Sequence, residues 1–124
     1  MTIVFTCLVI ALGVIHLIVM ALEMFADADI QSSAFEMDKS FVKQPGAQVA
    51  LKNLGIYNGM LGVSLLATFG VPDIAVMRLV QLGLAGFVLI VGIFGGLTVT
   101  KKIFLIQVLP AVVALLCGGV VLRG

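Results

Sequence analysis

Two ionisable residues lie inside the long apolar run at the start of the chain, and they are the first candidates for chemistry. His16 and Glu23 are seven residues apart, close to two full helical turns, so both side chains project from one face of a helix. A charge in hydrocarbon costs ~2.5–3.5 kcal/mol on insertion scales, and such residues commonly exchange protons or bind ligands. We therefore predict that this face points into the protein interior.

The same two side chains do not form a metal site together. On one helix they are separated by ~10 Å along the axis, whereas zinc ligands lie ~2 Å from the ion. The sequence has no second histidine, and Cys7 and Cys117 lack CxxC spacing. Both cysteines are set in apolar runs, which favours small core residues, although they would approach each other if their helices were neighbours. We expect no metal and no cofactor.

The composition indicates what kind of element must carry these residues. With 62% hydrophobic and only 10% charged residues, the chain lies far outside the range of soluble domains. The net charge of +1 provides no basic field for nucleic acid, so no nucleic-acid partner is expected. The lipid bilayer is therefore the expected partner, and a span of ~20 residues crosses its ~30 Å core.

Uninterrupted apolar runs predict four spans at about 2–26, 52–71, 74–99 and 102–122. The turn at Gly70–Asp73 contains a proline, and Asp73 can cap the helix that follows. Short connections force neighbouring helices to lie antiparallel. The predicted fold is thus all-α: an integral membrane four-helix antiparallel bundle forming a single domain over residues 1–124, held together by faces of small residues.

The remaining segment, residues 27–51, is predicted to be the one long loop. Ser33 and Glu36 have capping-box spacing, which predicts a short surface helix beginning there, and a solvated loop is the alternative. Either form would allow the loop to act as a lid over residues beneath it.

Lysine and arginine counts predict the orientation in the membrane. Five lysines (39, 43, 52, 101 and 102) flank one side of the spans, against Arg78 and Arg123 on the other. Positively charged short loops stay in the cytoplasm, so the loop at 27–51 is predicted to be cytoplasmic and both termini outside. The expected location is a bacterial cytoplasmic (inner) membrane, with several passes.

Polar residues from three helices are predicted to converge in the cytoplasmic half. Counting ~1.5 Å per residue from the cytoplasmic boundary, Glu23 lies ~4–5 Å deep and His16 ~15 Å deep. Pro110 cannot donate to Ile106, so a kink with a free carbonyl is expected beside this cluster. The candidate ligand-binding residues are His16, Glu23, Asn53, Tyr57, Asn58 and Gln107.

Each candidate also has a purely structural interpretation. His16 would be a neutral imidazole bonded to a backbone carbonyl or to Tyr57, and Glu23 a carboxylate facing Lys52 or the headgroups. The amides at 53, 58 and 107 would be interhelical hydrogen-bond partners, worth ~0.6 kcal/mol per contact. Tyr57 would then be an interfacial anchor.

The chain resembles the domain of unknown function 1304 family, a group of small bacterial membrane proteins. The resemblance rests on residues 16–25 (HLIVMALEMF) and 53–59 (NLGIYNG), and more loosely on 92–95 and 107–111. The family pattern has a Glu before the histidine and a Gln after the first asparagine, where this chain has Ile15 and Leu54. The resemblance implies a four-helix membrane fold and brings no established activity.

Three functions remain open. The first is binding or transport of a small molecule or ion, with proton exchange at Glu23 or His16; transport through so small a bundle would require a homodimer. The second is a membrane enzyme acting on a lipid-like substrate, with His16 or Glu23 as general acid or base. The third is a structural or accessory subunit whose polar residues fix helix register.

Overall fold

The computed structural model describes residues 1–123; Gly124 and the side chain of Arg123, counted above for orientation, lie outside this part. The described chain is all-helical, as predicted. Its elements are α1 (Thr2–Phe25), α2 (Ala28–Phe35), α3 (Lys39–Val42), α4 (Pro45–Ala67), a 3-10 turn (Thr68–Gly70), α5 (Ile74–Thr98), a π-helical segment (Phe104–Val108) and α6 (Leu109–Arg123).

Three helical stretches are long and apolar enough to cross a membrane: Thr2–Phe25, Ile74–Thr98 and Phe104–Leu122. These are compatible with a membrane protein. The sequence predicts four spans. One of them, carried by α4, is not among these three stretches, because α4 is less apolar than they are. The reason is chemical, because Lys52, Asn53 and Asn58 interrupt its apolar run.

The helix predicted at 52–71 begins seven residues earlier and ends four residues earlier. Pro45 occupies the first turn of α4, where its missing N–H costs nothing. At the other end, Pro72 follows the 3-10 turn and prevents the helix from continuing. The predicted cap at Asp73 is confirmed, since its carboxylate accepts from the Val76 amide at 2.9 Å.

The 27–51 segment is more ordered than a long loop. Asp27 caps α2 by accepting from the amides of Asp29 and Ile30 at 3.0 and 2.9 Å. Asp38 caps α3 in the same way. The capping box predicted at Ser33 is therefore wrong: Glu36 ends α2 rather than starting a helix, and it adopts a left-handed conformation with φ 55°.

The closest helix pair is α1 with α4, packed through buried glycines. Gly13 lies beside Gly62, Met20 beside Gly59 and Met24 beside Gly55. Residue numbers rise along α1 as they fall along α4, so these two helices run in opposite directions. The face of Gly55, Gly59 and Gly62 predicted from sequence is buried here.

The other long helices pack around this pair. α1 also contacts α6, and α5 packs chiefly on α6 and the π-helical segment, while α4 and α5 touch little. The shared core is formed by Phe5, Val9, Leu12, Leu65, Ala85, Val88, Ala111, Ala114 and Cys117. The weak direct contact between α4 and α5 leaves space for the cavity described below.

Replacing Gly62 with alanine should destabilise the α1–α4 pair. An added Cβ would lie 2.7 Å from the Gly13 carbonyl oxygen, a backbone atom that cannot move without separating the helices. We expect Gly62→Ala to lower the free energy of unfolding in mixed micelles by about 1–3 kcal/mol. Gly83→Ala is the control, because its Cβ would meet nothing within 4 Å. An equal loss in both variants would contradict close packing at Gly62.

Candidate functional site

Glu23 and Asn58 form the polar link between α1 and α4. Glu23 lies in the last turn of α1 with 7% of its surface exposed. The Asn58 side-chain amide donates to one Glu23 carboxylate oxygen at 2.8 Å. The glycines of α4 make this contact reachable, since a Cβ at Gly55 would lie 3.2 Å from the Glu23 Cβ. The ion pair with Lys52 considered from the sequence is not formed.

His16 lies two turns away and is separate from this link. Its side chain is 1% exposed, and Nδ1 donates to the Leu12 carbonyl at 2.8 Å, within its own helix. The backbone-bonded interpretation of His16 therefore fits the structure, whereas a bond to Tyr57 is not present. His16 packs in the core beside the α1–α4 contact.

Gln107 lies in the π-helical segment, where the sequence predicts a kink before Pro110. The Leu109 amide donates to Phe104, five residues back, and Pro110 has no amide to offer to Ile106. Such π-bulges are frequent at functional sites. The Gln107 side chain is 7% exposed and makes no hydrogen bond to any described residue, although its amide is strongly polar.

A cavity of about 610 Å³ joins Glu23, Asn58 and Gln107. Its walls come from α1, α4, α5 and the π-helical segment, and the end of α2 with Met37 covers one side. The lining is almost entirely apolar. The polar side chains that reach it are Glu23, Tyr57, Asn58, Thr100, Lys102 and Gln107.

Four of the six candidate residues thus line one cavity, and two do not. Glu23, Asn58 and Gln107 lie on three different elements, and Tyr57 is a largely exposed wall residue. His16 does not line the cavity, and its ring is bonded to the Leu12 carbonyl within α1. Asn53 is exposed and also lies outside it, although its neighbours Leu51 and Leu54 on α4 line the cavity.

Two glutamines that hold α2 in place beside the cavity are not among the residues predicted from the sequence. Gln31 of α2 is fully buried, and its amide donates to the carbonyls of Leu22 and Glu23, both at 3.1 Å. Gln48 of α4 donates in turn to the Gln31 side-chain oxygen at 2.7 Å. These contacts could not be predicted while residues 28–35 were expected to form a loop, because Gln31 faces the end of α1 only when this segment is a helix.

A second polar contact beside the cavity, at Thr100 and Lys102, is also not predicted from the sequence. Thr100 donates to one carboxylate oxygen of Glu36 at 2.6 Å, and Lys102 lies 3.4 Å from the other. These contacts tie the end of α2 to the connection between α5 and the π-helical segment. The hydrogen bond from Thr100, with the Lys102 contact second, holds the pKa of Glu36 below its ordinary value.

Among residues 1–123 no group of three or more His, Cys, Asp and Glu side chains is placed to hold a metal ion. Cys7 and Cys117 are both free; Cys7 is exposed and Cys117 is buried in the core. The structure does not pair them.

Comparison with known proteins gives the chain a family. Residues 9–118 match the family described as "Protein of unknown function (DUF1304)". The chain belongs to the DUF1304 family. It is also 34% identical over 101 residues to the uncharacterized protein YpaA of Lactococcus lactis subsp. lactis (strain IL1403), covering 79% of this chain and 82% of YpaA. No solved structure matches the chain. The DUF1304 match includes every residue of the candidate site.

Removing the Thr100 hydroxyl should raise the pKa of Glu36. Thr100 is the largest cause of the lowered pKa, and valine keeps the side-chain shape without the donor. We expect the ¹³C carboxyl titration of Glu36 by NMR to move upward in Thr100→Val and to stay unchanged in Thr98→Val, whose hydroxyl bonds Phe94 instead.

Linkage gives the sign of the stability effect. The pKa of Glu36 is lower in the folded state than in the unfolded state. The contact therefore stabilises the fold fully at pH values above the ordinary glutamate pKa, and this stabilisation is lost as the pH falls through the folded-state pKa. An unchanged Glu36 titration in Thr100→Val would mean that the hydrogen bond does not persist in solution.

Proposed function

We propose that this DUF1304 protein is a single-domain, four-span antiparallel bundle in a bacterial cytoplasmic membrane, with both termini outside. The contacts of α1 with α4 and α6, and of α5 with α6, support such a bundle. α4 has 23 residues, which reach roughly 34 Å and suffice for a span. Its outward side chains include Ile56, Met60 and Val63, which suit lipid.

Within this bundle, we propose that the protein binds a small molecule that is soluble in the membrane. The observation that carries the proposal is the cavity of about 610 Å³, to which the Gln107 amide is accessible and in which it has no hydrogen-bond partner among the described residues. Ligand sites typically have volumes of ~300–1,000 Å³, apolar walls and a few polar groups that fix orientation. The Gln107 amide is one such polar group, because it is open to the cavity and free to hydrogen-bond to a ligand.

The bilayer is the natural source of the ligand. Leu54, Tyr57 and Phe87 line the cavity and are also exposed on the outside of the helices, where α4 and α5 separate. In a membrane this opening would face lipid tails. A molecule dissolved in the bilayer would thus reach the cavity sideways.

The other two hypotheses have less support. An enzyme acting on a lipid-like substrate would need an acid or base at the substrate; of the two candidates Glu23 lines the cavity and His16 lies outside it, so a second proton-transfer group is missing among the described lining residues. A purely structural role accounts for the Glu23–Asn58 bond but leaves the Gln107 amide unexplained. Transport would require a second copy of the chain in addition to the binding site proposed here.

Filling the cavity should abolish binding. Val91 lines the cavity, while its neighbour Ile90 is 71% exposed and does not. We expect the neutral fluorophore N-phenyl-1-naphthylamine to raise the melting temperature of the native protein and of Ile90→Trp, but not of Val91→Trp. Light scattering gives the melting temperature. Equal stabilisation of both tryptophan variants would contradict binding in this cavity.

The orientation is tested by cysteine labelling in intact cells. In a Cys7→Ala/Cys117→Ala background, a cysteine at Lys43 should react with a membrane-impermeant maleimide only after lysis. A cysteine at Gly70, which has open space around it, should react in intact cells. The reverse pattern would place the termini inside, and labelling of both sites from outside would remove α4 as a span.

A further inference from the structure

Glu23 is a buried carboxylate without a cation. Its described hydrogen-bond partner is the neutral Asn58 amide, which contacts one oxygen and leaves the other without a partner. The ion pairs found in residues 1–123 join other groups, Lys39 with Asp29 and Lys102 with Glu36. Buried charges in proteins are normally paired, because an isolated carboxylate in an apolar site is very unfavourable.

Aromatic side chains contribute a second feature of the same cavity. Phe35 from α2, Tyr57 from α4 and Phe87 from α5 all line it, so aromatic rings come from three elements. The face of an aromatic ring attracts a cation within ~6 Å, and quaternary ammonium ligands are commonly recognised in this way. Most of the remaining wall is aliphatic, which suits a hydrocarbon substituent.

We propose that the molecule bound in this cavity is a lipophilic organic cation, whose ammonium group lies against the Glu23 carboxylate and whose apolar part lies between α4 and α5. The inference rests on the proposed binding function and names its ligand class. Asn58 is a positioning residue here, because its amide holds the carboxylate toward α4. Gln107 provides a neutral donor and acceptor for a further polar group of the ligand.

The charges around Glu23 are consistent with a cationic ligand. Lys102 lines the cavity, but its ammonium lies 3.4 Å from the Glu36 carboxylate, which balances its charge. Tyr57 on α4 is not a cationic side chain, and His16 is bonded to its own backbone. An anionic amphiphile would face Glu23 without a free cation to bind. A neutral alcohol would leave the carboxylate unpaired.

Two probes of equal chain length test the ligand class: decyltrimethylammonium and 1-decanol. We would measure both affinities by equilibrium dialysis, with the full chain in phosphatidylcholine nanodiscs and with empty nanodiscs as background. The native protein should bind the cation at least about tenfold more tightly than the alcohol. The quaternary ammonium has no N–H, so this difference comes from attraction to the Glu23 charge and from contact with the aromatic rings.

Glu23→Gln removes the charge and keeps an oxygen that can accept from Asn58. We expect it to weaken cation binding about tenfold or more, because the charge attraction is lost, and to change alcohol binding less than threefold. Asp29→Asn makes the same chemical change at an exposed carboxylate that does not line the cavity, and it should alter neither affinity more than threefold. An equal loss of cation affinity in both variants would show a general surface-charge effect and overturn the proposal.

The outcomes separate the ligand class from the binding function. Equal binding of cation and alcohol, both blocked by Val91→Trp, would overturn the cationic ligand and keep the cavity as a binding site. Binding of neither probe above background would overturn both. If Glu23→Gln does not fold, Phe87→Leu replaces it: a two- to fivefold weaker cation affinity with unchanged alcohol affinity is expected, and no change would count against the proposal.

Discussion

The close approach of α1 and α4 is the constraint on which the rest of the structure depends. In lipid, burying apolar side chains drives little association, so helices must gain contact energy from packing and hydrogen bonds. Gly13 and Gly62 allow the two backbones to meet, and Met20 and Met24 fill the space over Gly59 and Gly55. This approach brings the Glu23 carboxylate within reach of the Asn58 amide. A bulkier residue at any of these glycines would move the polar link as well as the helices.

The end of α1 shows how the chain satisfies backbone groups where a helix stops. The last carbonyls of a helix have no partner within it. Gln31 donates to two of them and is itself held by Gln48, so three helices are joined by one short chain of hydrogen bonds. This arrangement places α2 beside the cavity. The hydrogen bonds of Gln31 and Gln48 therefore fix the position of α2 relative to the two helices, α1 and α4, that form part of the cavity wall.

The cavity exists because two irregularities in the helix packing lie beside each other. α4 and α5 touch little, and the π-helical segment before Pro110 turns Gln107 toward the gap. Glycines 92, 95 and 96 let this segment and the residue on either side of it lie close to α5. The polar groups at the cavity therefore lie on elements fixed by tight packing, which is what a binding site needs in order to be pre-organised.

The sequence by itself determined the helical class, the turn at Asp73, the buried glycine faces and the convergence of Glu23, Asn58 and Gln107. These follow from local rules: hydropathy, capping chemistry and the helical period. Apolar periodicity did not locate the start of α4 or the helices at 28–42, because those stretches are polar and mixed, and their order comes from Asp caps and from Gln31. The separation of His16 from Glu23 was decided only by the tertiary structure. Both residues share a face of α1, but only Glu23 meets the gap between α4 and α5, and that gap depends on contacts between residues far apart in the chain.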